Sequence, residues 1–240
     1  MKKNLKRLII KLLDYFNLQI INKNQKIVEL SDNDRELINL ASQYSMTPQI
    51  RIFNLLQSLR HLKYKKIKGD YVECGVWKGG NLILFKKFLQ EENILSKKIY
   101  AYDTFEGMTN PDDNDFDIST NEKAEFLLKK DTQRESNVWG VCNLNNVKSN
   151  LLKTVGNLDN IEFIKGPVEE TLIDDNIPDQ ISLLRLDTDW YSSTKKELET
   201  LYKKVSPGGI IIIDDYKIKI KEATSSKIEK ILISKNINEE

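Results

Sequence analysis

A chain of 240 residues that is 40% hydrophobic and 30% charged has an ordinary globular composition, which excludes a collagen-like, mucin-like or wholly disordered protein. Lys and Arg (37) against Asp and Glu (36) leave a formal charge of +1, so no global field argues for a nucleic-acid partner. Two cysteines outside any CxxC pair and a single histidine, His61, argue against a disulfide scaffold, a thiolate zinc site and histidine-based catalysis; a reducing cytoplasm is the expected location, and proton transfer falls to carboxylates.

The length fits one α/β domain with N-terminal additions. No stretch approaches the roughly 18 apolar residues of a membrane span, and residues 1–21 lack the uncharged core of a secretory signal. Leu5, Leu8, Ile9, Leu12, Leu13 and Phe16 recur at helical spacing, with Lys2, Lys3, Lys6, Arg7 and Lys11 mostly off that stripe. Such a basic amphipathic helix can dock on its own core or on a second subunit, or rest on an anionic membrane surface. Residues 1–33 are therefore set apart as helix and linker. A second apolar-periodic segment, 37–62, is broken at Thr47-Pro48, where the fixed φ and missing N–H of proline suit a helix start.

From Gly69 onward short apolar runs alternate with longer amphipathic ones, which predicts βαβ units around a mostly parallel sheet. The first strand is expected at 71–76, and Gly75, Gly79 and Gly80 lead from it into a helix at 81–89. Glycines there allow a tight turn and close approach to a ligand, but GxxxGG is neither the dinucleotide GxGxxG nor a P-loop. The second strand, 99–104, carries Asp103 near its end. An acid in that place can accept both hydroxyl hydrogens of a ribose, or it can cap the turn that follows.

Residues 106–121 hold Asp112, Asp113, Asn114, Asp115 and Asp117 without the glycine and terminal glutamate of a calcium loop, and read as a mobile surface loop placed to act as a lid. Strands at 161–164, 181–186 and 210–213 follow, with a helix at 192–205 in which Thr194 and Glu197 are spaced as a capping box. The last two strands end in Asp187-Thr188-Asp189 and Asp214-Asp215. Parallel neighbours bring all four acids to one rim beside the glycine turn. Carboxylates so close need a counter-charge. A divalent cation of the Mg²⁺ type suits oxygen donors, and Arg185 or a nearby lysine is the alternative.

Gly69–Gly80, Tyr102–Met108, Leu184–Thr194, Ser206–Gly209 and Asp214–Tyr216 together resemble the macrocin O-methyltransferase family of the TylF and MycF type, and Tyr44–Thr47 with 51–59 is similar to its helical lead-in. The resemblance implies a Rossmann-like class I methyltransferase over residues 34–240, with lead-in 34–68, core 69–216 and a C-terminal helix in 217–240. It implies S-adenosylmethionine and Mg²⁺ as cofactors, and a sugar or glycosylated metabolite as acceptor. The cofactor would be met by Met46, Thr47, Glu73, Cys74, Gly75, Val76, Gly79, Asp103, Thr104, Phe105, Gly166 and Asp187. The metal would sit on Asp187, Asp214 and Asp215, with Asp187 or Asp189 as base. Relatives continue through two further strands that are not evident after the helix expected at 222–233, so either the chain is truncated, or a partner covers that sheet edge, or the fold is completed differently; a homo-oligomer is expected. A catalytically impaired cofactor-binding relative and an NAD-dependent sugar oxidoreductase are the competing readings.

Overall fold

The structure is a computed structural model that describes residues 30–116, 122–128 and 139–214. The expected helices at 5–16 and 222–233, and Asp215, lie outside them. The chain divides into two units at Asn33/Asp34, and the architecture below is that of the second. Among the described residues no helix is long and apolar enough to cross a membrane.

Two lead-in helices, α1 (Asp32–Ser42) and α2 (Gln49–Tyr64), precede the sheet. On α1 the sequence places Leu37, Ile38 and Ala41 on one buried stripe, and α2 repeats this with Ile52, Leu55, Leu56, Leu59 and Leu62. Between them Pro48 occupies the N-cap position of α2 with φ −58°, and its carbonyl accepts from Arg51 N at 2.9 Å, so proline begins the helix as its geometry requires.

The sheet has five parallel strands: β1 (Asp70–Cys74), β2 (Ile99–Asp103), β3 (Ile161–Lys165), β4 (Ile181–Leu186) and β5 (Val205–Ile213), in the order β3-β2-β1-β4-β5. Helices α3 (Gly80–Glu91), α4 (Ala124–Leu128), α5 (Leu144–Val155), α6 (Val168–Thr171) and α7 (Tyr191–Leu201) connect them. Every residue of β4 is buried, as a central parallel strand covered on both faces must be. The order reverses between β1 and β4, so the loops leaving their C-terminal ends diverge and open a crevice there.

Two expectations change. The fifth strand begins at Val205, because Ser206–Gly209 continue as strand after a bulge between Ile181 and Leu183, and the helix before it stops at Leu201. The acidic segment is fastened through residue 116: Asp115 is buried, its Oδ1 accepts from Tyr191 N at 2.8 Å, and Trp190 Nε1 donates to the Thr109 carbonyl at 3.0 Å. Asp115 thereby serves a helix-capping role for α7 from 76 positions away in sequence. That partnership has no local signature.

Candidate functional site

At the end of β1 the chain must turn while passing beneath the loop that leaves β4. Gly75 does this at φ +85°, and a Cβ there would lie 2.0 Å from the carbonyl oxygen of Asp187. Only glycine fits. A Gly75→Ala variant is expected to lose roughly 2–4 kcal/mol of stability, from left-handed strain plus forced separation of the two loops, read as a lower urea midpoint.

The crevice holds a cavity of about 260 Å³. Of the residues expected at the site, Met46, Thr47, Gly75, Val76, Asp103, Thr104, Gly166, Asp187, Asp189 and Asp214 line it. Glu73, Cys74, Gly79 and Phe105 do not. Glu73 is buried below the floor, where Asn81 Nδ2 and Arg185 Nη1 donate to its Oε1 at 2.8 and 2.9 Å, so it reaches the cavity through Asn81, which is on the wall, and through Arg185. Cys74 alternates to the other face of β1 and joins the apolar cluster with Leu198 and Leu201 of α7. Gly79 turns the chain into α3 at φ +89°. Phe105 is buried with its ring 6.3 Å from that of Phe163.

Asp103 occupies its expected place, yet backbone donors claim both its oxygens: Oδ2 accepts from Val76 N at 2.6 Å and Trp77 N at 3.0 Å, and Oδ1 from Phe105 N at 2.6 Å. It therefore braces the glycine turn and caps its own, as the turn-capping reading anticipates. Burial raises its pKa above the usual carboxylate range, against the lowering effect of these N–H groups.

The rim acids meet an arginine. Glu73 and Arg185 are register partners on β1 and β4, and the buried guanidinium reaches Asp187 Oδ2 at 2.8 Å and Asp214 Oδ1 at 3.4 Å. Arg185 Nη2 also donates to Thr47 Oγ1 at 3.2 Å, which fixes the lead-in turn to the sheet. On the outer side Arg51 Nη1 lies 3.0 Å from Asp214 Oδ2. Burial alone would lower the Arg185 pKa, but the charges of Asp187, Glu73 and Asp214 outweigh it and raise the pKa above its usual range. Glu73 is pushed up to about 7, by burial first, against the opposing pull of Arg185 and Asn81.

Three of the four aspartates expected at the rim, Asp187, Asp189 and Asp214, share the cavity wall, and Asp215 lies outside the described residues. Asp187 and Asp214 are adjacent, but the counter-charge present is Arg185, and among the described residues no three acidic, histidine or cysteine side chains form a ready metal cage. Sequence inspection names Arg185 only as an alternative. It misses Arg51, Trp77, Asn81, Thr109 and Ser193 on the cavity wall; the pairing of Glu73 with Arg185 in adjacent strands is the signal that finds the first of the two arginines.

The capping box also gives way. The N-cap of α7 is Trp190, and Glu197 lies inside the helix, fully buried, with its Oε1 accepting from Thr188 Oγ1 at 2.9 Å.

Residues 2–239 match the family model described as macrocin-O-methyltransferase (TylF). The chain is 30% identical over 176 residues to a demethyldecarbamoylnovobiocin O-methyltransferase of Streptomyces niveus, covering 73% of this chain and 63% of that protein. It is also 30% identical over 177 residues, with the same coverage, to an 8-demethyl-8-(2,3-dimethoxy-alpha-L-rhamnosyl)-tetracenomycin-C 4'-O-methyltransferase of Streptomyces olivaceus. The matched stretch thus spans slightly less than two thirds of these relatives. Among solved structures, the O-methyltransferase NovP superposes with a TM-score of 0.64 at 26% identity, covering 82% of this chain and 76% of that one.

Proposed function

This chain belongs to the macrocin-O-methyltransferase (TylF) family, and from that premise we propose that it transfers a methyl group from S-adenosylmethionine to a hydroxyl of a sugar or glycosylated metabolite. The observation that carries the reading is the cavity at the β1/β4 crevice, lined by the Gly75 turn and by Asp187, Asp189 and Asp214. The methyl donor supplies an electrophilic methyl on a sulfonium. Gly75, Val76, Met46 and Thr47 bound the volume for its methionine end, and Thr104, Gly166 and the turn braced by Asp103 bound the nucleoside end. Glu73 supports this wall from beneath through Asn81.

With donor and acceptor held in this cavity, the methyl would pass in line to the acceptor oxygen, the carbon–sulfur electron pair staying on sulfur. The hydroxyl proton must leave. Asp187 is held against the buried Arg185 guanidinium, and Asp189, two residues on in the same loop, also lines the cavity; the base we assign is Asp189.

The fit of a divalent cation can be judged from the donors. Asp187 and Asp214 are hard oxygen donors held within the span of one guanidinium, and Arg51, which is 53% exposed, can swing away from Asp214. These two residues, joined by Asp215, would hold the ion, which would lower the pKa of the bound hydroxyl. Arg185 remains beneath them to limit their mutual repulsion.

Calorimetric titration of the full chain with S-adenosylmethionine and with NAD tests the reading, followed by incubation with methyl-labelled donor and a panel of glycosylated acceptors. Binding of the first and label recovered in an acceptor are expected. Binding of NAD alone would overturn the methyl-transfer reading in favour of the oxidoreductase alternative.

A further inference from the structure

Asp189 has φ +66°, the left-handed region, which side chains other than Gly, Asn and Asp seldom adopt. The peptide N–H of Trp190 donates to the carbonyl of Thr188 at 2.8 Å. Asp189 is thus the middle residue of a tight three-residue γ-turn, a conformation that costs free energy and persists only where its surroundings enforce it. The enforcing contacts surround it: Asp187 N is held by the Cys74 carbonyl at 2.9 Å, Tyr191 N by Asp115, and the Trp190 indole by Thr109. The remaining flank is Thr188, whose hydroxyl donates to Glu197 Oε1 at 2.9 Å.

Glu197 is anomalous as a merely structural residue. It sits in the body of α7 with no surface exposure, among Cys74, Leu198 and Leu201. Burying a carboxyl there costs stability that a leucine would not. Burial raises its pKa well above the usual carboxylate range, against the lowering effect of its bonds to Thr188 and Cys74. Of its two side-chain partners, Cys74 lies in the core and Thr188 alone belongs to the turn at the cavity.

We propose that Glu197, acting through the Thr188 hydroxyl, is the positioning residue for the strained turn that presents Asp189 to the cavity. Glu197 touches neither cofactor nor acceptor; it holds one end of the turn so that the Asp189 carboxylate stands where a hydroxyl proton is released. The inference rests on the methyl-transfer reading only for its kinetic readout.

The test uses the full chain carrying Glu197→Leu, Glu197→Gln, Thr188→Val or Thr188→Ser. Glu197→Gln keeps an acceptor oxygen and Thr188→Ser keeps the donor, so both should retain turnover within about threefold. Glu197→Leu and Thr188→Val should lower kcat by about 10- to 100-fold, the scale expected of a small misplacement of a reacting group, while KM for the methyl donor changes less than about twofold. Crystal structures of the wild type and Glu197→Leu supply a readout independent of activity: the Asp189 φ should be positive in the first and relax to negative values in the second. Wild-type kcat in both Glu197→Leu and Thr188→Val, or a positive φ retained in Glu197→Leu, would overturn the proposal. If Glu197→Leu does not fold, the Thr188 pair decides alone. A wild-type chain that transfers no methyl group overturns the functional reading, and the crystallographic comparison still decides the positioning role.

Discussion

Replacing Asp189 by asparagine should lower turnover by about 10²- to 10⁴-fold, the range typical for loss of a general base, with little change in donor affinity or melting temperature. Asparagine is the informative choice because it tolerates the left-handed backbone nearly as well as aspartate, so the turn at φ +66° survives while the proton acceptor does not. Alanine would confound the two, since it lacks the carboxylate and also strains the turn. The same substitution at Asp187 is expected to act differently. It removes a group that accepts from Arg185 at 2.8 Å, so stability should change along with rate. Equal loss of turnover with no stability change at either position would contradict the division of roles between them. The measurement is single-turnover methyl transfer beside urea unfolding for each variant.

The second large effect concerns Arg185. Its guanidinium is 2% exposed and faces Glu73, Asp187 and Asp214 together. An Arg185→Leu variant leaves those acids without their buried cation, and breaking a buried pair by removing one partner costs about 3–5 kcal/mol. The loss should also depend on pH in a defined direction. Burial pushes Glu73 up to about 7, above its ordinary 4.5, so between those values the folded chain retains a proton that the unfolded chain releases. Stability from that group is therefore present at low pH and falls as pH rises between those values. Without Arg185 the folded-state pKa rises further, and the fall should steepen and extend above pH 7. Adding Glu73→Gln to Arg185→Leu should recover part of the stability and flatten that slope, a coupling that a double-mutant cycle measures. Unfolding midpoints of Arg185→Leu that match the wild type from pH 5 to 8 would show that the network contributes nothing.

Much of the fold was legible because periodicity and punctuation agree. Ile181–Leu186 is continuously apolar apart from Ser182 and Arg185, and the glycines after β1 mark a turn. The start of β5 was misplaced because Ser206-Pro207-Gly208-Gly209 reads as a stop, whereas pairing of Val205 with Ile181 carries the strand through it. At the site, residues belonging to the rim by strand position were readable: Gly75, Asp103, Asp187, Asp189 and Asp214. What Asp103 bonds to was not, since its partners Val76 N and Trp77 N are set by the three-dimensional course of another loop. Cys74 was misassigned for a simpler reason: alternation along a strand sends one neighbour of Gly75 toward the core. Asp115 reads as part of a mobile surface loop, and Glu197 as half of a capping box with Thr194, because their partners Tyr191 N and Thr188 lie far away in sequence or across a turn.

The contact between the lead-in helices and α3 bears on what counts as a separable unit. Gly80 N donates to the Tyr44 carbonyl at 3.0 Å, and a Cβ on Gly80 would come within 2.6 Å of the Ala41 carbonyl. Main chain meets main chain there, with the Ser45 Cβ equally close, so the room at Gly80 is set by backbone as much as by a side chain. Thr47, bonded to Arg185, then forms part of the cavity wall. A fragment starting at Gly69 would therefore be no portable module: it would forfeit one side of its own binding chamber, and transplanting these strands beneath another protein's opening helices would require that the backbone contour be carried across as well.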